Sequence, residues 1–149
     1  MPDPKISVLM AVYNGEKSVR KTIASVLNQT YNDFEFVIID DCSTDKTLEI
    51  IQSYCDPRLV ISTNKTNIGQ INSLNLGLKK AKGTYIARTD AGDISLPKRF
   101  ERQVAYLEEH PEVVVVGTGA VRYDSKGRVI DVMRMPGDPI SMRQMAVVT

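Results

Sequence analysis

The sequence is poor in the residues that build the commonest catalytic and metal sites. Its 149 residues include one histidine, two cysteines and no tryptophan. A single histidine excludes multi-histidine metal sites and argues against Ser-His-Asp or Cys-His catalysis. Cys42 and Cys55 are too few for a disulfide framework and form no Cys-x-x-Cys pair. Any chemistry must therefore rest on carboxylates, hydroxyls, amides and backbone groups.

The sequence also lacks an excess of one charge and any long apolar run. The formal net charge is +1, which gives no electrostatic basis for binding nucleic acid or an anionic membrane. No apolar stretch approaches the roughly 20 residues that a membrane-spanning helix needs, and the N-terminus lacks a secretory signal pattern. We expect a cytoplasmic chain without a nucleic-acid partner, in which bound phosphate is held by local groups.

The hydrophobic pattern predicts one α/β domain. Short apolar runs, typical of strands buried on both faces, alternate with segments whose apolar residues recur every three to four positions, as in amphipathic helices. The predicted strands are residues 6–12, 34–39, 59–63, 85–89 and 113–116, and the predicted helices are residues 18–29, 45–54, 70–80 and 96–109. Such repeated units predict a doubly wound, mostly parallel sheet with helices on both faces.

The pattern changes after Gly119. Residues 120–123 and 128–133 flank Asp-Ser-Lys-Gly, a turn signal that predicts a C-terminal β-hairpin. Residues 140–149 are predicted to form a helix.

Ligands of open parallel sheets bind beyond the carboxyl ends of the strands, so the segments that follow the strands are the first candidates for a site. After the first strand comes Ala11-Val12-Tyr13-Asn14-Gly15-Glu16, in which an aromatic ring and backbone groups can flank a flat base. The alternative is a strand-to-helix turn made by Asn14 and Gly15, with Glu16 favouring the helix N-terminus.

Adjacent carboxylates follow the second strand at Asp40 and Asp41. With the hydroxyls after them, they can bind the N–H of a pyrimidine ring and a ribose. Helix capping is the alternative; it explains Thr44 or Asp45 but not the earlier pair.

A third polar segment, Asp90-Ala91-Gly92-Asp93-Ile94-Ser95, follows the strand at 85–89. Closely spaced carboxylates on a loop suit a magnesium or manganese ion that bridges to diphosphate oxygens. The alternative is a glycine-containing turn with Ser95 as the cap of the next helix.

Together and in this order, the segments resemble the inverting family 2 glycosyltransferases of the GT-A fold, a Rossmann-like nucleotide-sugar-binding fold. The resemblance runs from Lys5 to about Met133, through ISVLMAVYNGE, SVLNQTYNDFEFVIIDDCSTDKT and TNIGQINSLNLGLKKAKGTYIARTDAGDISLPKRFERQ. It implies a nucleoside diphosphate sugar as donor, with Tyr13 and Asp41 on the uracil of UDP. The nucleotide-sugar-binding residues that it implies are Ala11, Tyr13, Glu16, Asp41 and Asp90.

One departure from the family concerns the metal. The family's loop reads Asp-x-Asp-Asp, and its third position supplies a metal-bound carboxylate, whereas this chain has Gly92 there. Three alternatives remain open: a divalent cation (Mn or Mg) on Asp90 or Asp93, weak metal binding, or a diphosphate held without metal.

A second departure is the length. Family members continue into an acceptor-binding half that carries the general base, so we expect residues 1–149 to be a single domain truncated before that half, with the base beyond Thr149. The implied acceptor is a saccharide or a lipid-linked sugar, as in cell-surface polysaccharide synthesis. Peripheral membrane association would come only from missing regions, and an exposed docking face would favour a homo-oligomer.

Two other classes compete with this interpretation. A phospho-acceptor receiver domain also gathers acidic residues at strand ends, but its acidic pair follows the first strand, and a lysine should replace Gly117-Thr118-Gly119. A nucleotidyltransferase of related fold would need a glycine-rich, arginine-containing loop after the first strand to hold a triphosphate. The sequence has no such loop at that position.

Overall fold

The computed structural model describes residues 2–124 and 126–134. The chain divides into two compact units, with the boundary between Val104 and Ala105. Among the described residues, no helix has both the length and the apolar character needed to cross a membrane.

The first unit is built on a four-stranded parallel sheet. Its strands are β1 Ile6–Val12, β2 Phe34–Asp40, β3 Leu59–Thr63 and β4 Tyr85–Arg88, in the spatial order β3-β2-β1-β4. Every residue of β1 and β2 is buried, as expected for central strands covered on both faces. The chain winds from β1 outward to β3 and then crosses to β4 on the other side of β1, so the predicted doubly wound sheet is confirmed.

Helices cover both faces of this sheet. They are α1 Val19–Leu27, α2 Thr47–Gln52, α3 Gln70–Leu78 and α4 Arg99–Glu109. The larger core joins Val8, Met10, Val12, Phe36 and Ile38 to apolar residues of α1 and α2 and to Phe100 and Val104 of α4. The opposite face presents Leu9, Val37 and Ile39, which pack with Leu74 of α3. The alternation of strand side chains thus gives each helix layer its own core.

The second unit, within the described residues, contains the end of α4 and an antiparallel hairpin. Its strands are β5 Ala120–Tyr123 and β6 Val129–Met133. Gly127 has φ +76° in the connecting turn, a conformation that glycine adopts readily. The predicted C-terminal hairpin is therefore confirmed.

One predicted strand is wrong. Residues 113–116 pair with no strand in the described part of the chain, and the side chains of Val114 and Val115 are 91% and 69% exposed. A short apolar run suits a buried strand, but it becomes one only where a neighbour satisfies its backbone hydrogen bonds. Helix α4 also begins later than predicted, at Arg99, and the predicted helix at 140–149 lies outside the described residues.

Candidate functional site

An open cleft of about 210 Å³ lies at the carboxyl ends of β1, β2 and β4. Its walls are Ala11, Val12, Tyr13, Asp41, Gln70, Asp90 and Ala91. The strand order reverses at β1, because β2 and β4 flank it and the chain reaches them in opposite directions. Such a switch point leaves a crevice between the loops of neighbouring strands, which is where doubly wound proteins hold their ligands.

Four of the sequence-predicted residues line this cleft together: Ala11, Tyr13, Asp41 and Asp90. Glu16 and Asp93 are not among its lining residues, so their contact with a ligand stays a prediction. Gln70 is a wall residue that the sequence analysis missed. Gln70 could have been found from its position as the first residue of α3. The helices that follow parallel strands begin at the carboxyl ends of those strands, where ligands bind.

The loop after β1 is braced against the loop after β2. Asn14 has φ +50°; its backbone N–H donates to Ser43 Oγ at 3.0 Å, and its Oδ1 accepts the N–H of Thr44 at 2.8 Å. The N–H of Gly15 donates to Thr47 Oγ1 at 2.7 Å. These contacts fix the backbone immediately after Tyr13, whose side chain is half exposed at the cleft.

Glu16 takes part in the same brace. Its N–H donates to Asp45 Oδ2 at 3.1 Å, and its Oε2 accepts the N–H of Lys46 at 3.2 Å. Asp45 also accepts the N–H of Thr47, the first residue of α2, at 2.9 Å. The two carboxylates therefore satisfy amide groups next to the start of α2, a role that the sequence predicts for Thr44 or Asp45 and that Glu16 also takes.

Asp41 is the most heavily hydrogen-bonded carboxylate of the cleft. Its Oδ1 accepts from Asn64 Nδ2 at 2.8 Å and from the N–H of Ile68 at 3.0 Å, and its Oδ2 accepts the N–H of Gly69 at 2.8 Å. Burial of Asp41 acts to raise its pKa, but the hydrogen bonds from Ile68, Asn64, Ser73 and Gly69 outweigh it and hold the pKa below the ordinary value of 3.8. Asp41 is therefore an anion that also anchors the segment leading into α3.

Asp90 is paired with a cation. Both of its carboxylate oxygens accept from the guanidinium of Arg88, at 2.9 to 3.1 Å, and its Oδ1 also accepts from Gln70 Nε2 at 3.2 Å. Arg88 is more than half exposed. The charge of Asp90 is thus already compensated, and the guanidinium retains donors that can reach solvent or a ligand.

The acidic loop, residues 90–96, does not provide a ready cation site. Within the residues that the structure describes, no group of three histidine, cysteine or acidic side chains could hold a metal ion. Gly92, at the position of the family's metal-bound carboxylate, has φ +119°, a conformation that other residues rarely adopt. Burial lowers the pKa of Arg99, and the negative charge of Asp93 acts in the opposite direction. The carboxylate of Asp93 thus interacts electrostatically with this arginine. Among the described residues, the acidic loop thus offers no site made of protein ligands alone for the implied divalent cation.

Comparison with known proteins places these features in context. The sequence matches the model of glycosyl transferase family 2 over residues 7–146. It is 43% identical over 141 residues to the putative glycosyltransferase EpsE of Bacillus subtilis, which covers 90% of this chain and 51% of EpsE. It is 35% identical over 127 residues to the amylovoran biosynthesis glycosyltransferase AmsE of Erwinia amylovora, covering 82% of this chain and 47% of AmsE. The chain spans about half the length of these relatives.

A solved structure shares the fold. The crystal structure of S. aureus TarS in complex with UDP-GlcNAc superposes with a TM-score of 0.69 and 33% sequence identity. The match covers 72% of this chain and 32% of the TarS chain. The predicted GT-A architecture is thereby confirmed.

Proposed function

The chain belongs to glycosyl transferase family 2, and from this premise we propose that its cleft binds a UDP-sugar for transfer to an acceptor hydroxyl with inversion of configuration. The observation that carries the proposal is the meeting of Ala11, Tyr13, Asp41 and Asp90 at one cleft of the sheet. The complex of TarS with UDP-GlcNAc supports uracil as the base, and the name of AmsE, an amylovoran biosynthesis glycosyltransferase, supports a role in polysaccharide synthesis. We propose a saccharide or a lipid-linked sugar as the acceptor.

The uracil ring fits between an aromatic side chain and an anion. The exposed ring of Tyr13 offers a stacking surface. Two N–H donors contact Oδ1 of Asp41, whereas Oδ2 accepts the N–H of Gly69. In this proposal Oδ2 also accepts the ring N–H of uracil, since a carboxylate oxygen can accept more than one hydrogen bond. Guanine has a larger, two-ring system that needs more room between Tyr13 and Asp41, so the proposed arrangement disfavours it.

The ribose and diphosphate lie toward the acidic loop in this proposal. Asp90 accepts from ribose hydroxyls, and the guanidinium of Arg88 offsets negative charge on the departing diphosphate. Catalysis then depends on positioning the anomeric carbon for in-line attack and on stabilising the leaving group. We assign the acceptor contacts and the general base to the half of the relatives' length that this chain does not span.

We expect the chain to bind UDP at least about tenfold more tightly than GDP, and we expect Tyr13→Ala to weaken UDP binding by about fivefold or more, since base stacking contributes about 1–3 kcal/mol. Isothermal titration calorimetry with both nucleotides measures both effects. Tyr106→Ala is the matched control, because Tyr106 is similarly exposed on α4 but does not line the cleft. Equal affinities for UDP and GDP would contradict the proposal.

Metal dependence is expected to be weak. Because Arg88 already occupies Asp90 and no carboxylate stands at Gly92, UDP affinity should change by less than about threefold between buffers containing manganese and EDTA. Calorimetry in the two buffers measures this ratio, with sodium chloride at matched ionic strength as the control. A loss of about tenfold or more in EDTA would contradict this prediction and show that nucleotide binding requires a divalent cation.

A further inference from the structure

Three polar residues of the α1 region bind the backbone of the acidic loop and of the start of α4. Thr22, Ser25 and Gln29 are spaced three and four positions apart, so they lie on one face of the helix and its extension. We call these three residues the polar stripe. Thr22 is fully buried and Gln29 is 4% exposed. Polar residues in such positions require partners.

Each member of the polar stripe accepts a backbone N–H from the segment after β4. Thr22 Oγ1 accepts from Gly92 at 2.9 Å, Ser25 Oγ accepts from Ser95 at 3.1 Å, and Gln29 Oε1 accepts from Phe100 at 3.1 Å. The amide of Gln29 also donates to the carbonyl oxygen of Leu96 at 2.8 Å. The stripe therefore ties down three successive points along residues 92–100.

These contacts determine where Asp90 lies. The N–H of Asp93 donates to the carbonyl of Asp90 at 3.0 Å and closes a turn with Gly92 at its third position. Thr22 holds the N–H of that glycine, so a shift of the loop away from α1 would move the turn and Asp90 with it. At the other end of the tied segment, Gln29 accepts the N–H of Phe100 in the first turn of α4. Backbone N–H groups there have no partner within the helix.

We propose that Thr22, Ser25 and Gln29 are positioning residues for nucleotide-sugar binding, because they hold the acidic loop with Asp90 on the cleft wall. The inference rests on the proposed function, since it assigns the acidic loop to the ribose and diphosphate. The proposed base-binding residues Tyr13 and Asp41 belong to other loops of the cleft, those that follow β1 and β2. Loosening the stripe should therefore affect the sugar-phosphate part of a nucleotide and spare the base.

The test compares uridine with UDP in Thr22→Val and Gln29→Met, which keep side-chain size and remove the accepting atoms. We expect UDP affinity to fall by about fivefold or more, because that change corresponds to the loss of about one hydrogen bond to a buried group. Uridine affinity should fall by less than about twofold, because uridine lacks the diphosphate. Calorimetry measures UDP, and NMR shift titration measures the weaker uridine. The control is Ser7→Ala, which removes a buried hydroxyl bonded to Glu35 at the opposite edge of the sheet; it should lower stability and change neither affinity by more than about twofold.

Amide hydrogen exchange gives a readout that does not depend on ligand. In Thr22→Val, the Gly92 amide should exchange about fivefold faster or more, while the Gly69 amide held by Asp41 should be unchanged. Parallel losses of uridine and UDP affinity, or unchanged UDP affinity with faster exchange, would overturn the positioning role. If the unmodified chain bound neither ligand, the proposed function would fail, and unchanged Gly92 exchange would separately show that the stripe does not hold the loop.

Discussion

Replacing Asp41 by asparagine is expected to weaken UDP binding by more than about tenfold and to destabilise the fold by about 2 kcal/mol or more. The carboxylate accepts from three N–H groups. An asparagine amide supplies a single accepting oxygen, and its NH2 group would point at N–H groups that the carboxylate accepts. Each buried N–H left without an acceptor costs about 1–3 kcal/mol. UDP titration and urea unfolding measure the two effects separately.

Asp56→Asn provides the control for Asp41→Asn. Asp56 is also a hydrogen-bonded carboxylate, because Arg58 donates to it through its N–H and its guanidinium. It precedes β3 and so lies at the amino ends of the strands, whereas the cleft lies at their carboxyl ends. Its loss should lower stability with UDP affinity changed by less than about twofold. Asp41→Asn with nearly normal UDP affinity would show that Asp41 anchors the backbone only and does not contact the base.

The Asp41 substitution also has a pH signature. Because the pKa of Asp41 is lowered in the folded state, its contribution to stability is fully present above the ordinary value of 3.8 and is lost as pH falls through the lowered pKa. Asparagine does not titrate there. The difference in unfolding free energy between the native chain and Asp41→Asn should therefore be largest at about pH 6 and should shrink toward about pH 3.

Gly83→Ala is expected to destabilise the first unit by about 3 kcal/mol or more. A Cβ at this position would overlap the backbone nitrogen of Ser7 and lie 2.5 Å from the carbonyl carbon of Ile6. Relief requires moving the chain away from β1, which breaks the bond from the N–H of Gly83 to Ser7 Oγ at 2.7 Å. Overpacking against backbone cannot be relaxed by changing a rotamer. Urea unfolding followed by circular dichroism measures the loss.

Gly77→Ala is the matched control for Gly83→Ala. Gly77 lies within α3, and a Cβ there would meet only side chains, the nearest being Ile39 at 3.4 Å. The gain in helix propensity, about 1 kcal/mol, offsets the tight contact, so the net change should stay within about 1 kcal/mol. Similar unfolding midpoints for the two variants would show that the segment before β4 can withdraw from β1 without penalty.

Local patterns were sufficient to predict most of the fold. Strands β1 and β3 have the predicted bounds, because a short apolar run flanked by polar residues marks both ends of a buried strand. The run at 113–116 has the same character but forms no strand in the described residues. The difference is a hydrogen-bonding neighbour, which a single sequence does not reveal.

The candidate site was predictable in location but not in its internal contacts. The rule that ligands bind at strand ends was sufficient to select the three segments after β1, β2 and β4, and the family resemblance then singled out Tyr13, Asp41 and Asp90 within them. It could not reveal that Asp41 is held by donors 23 to 28 residues away, or that Asp90 faces Arg88. Such contacts depend on the packing of separate loops, and the spacing of residues along the chain does not encode them.

In the proposed complex Asp41 both binds the base and anchors the segment leading into α3, which limits how donor preference can change during evolution. A substitution that suits another base would first remove the anchor for the segment leading into α3. Lineages that change the base would therefore need an earlier, neutral substitution that secures this segment by other means. Variation in donor sugar faces no such barrier, because the sugar lies away from this carboxylate in the proposed complex. Sugars are thus expected to diversify among close relatives more readily than bases.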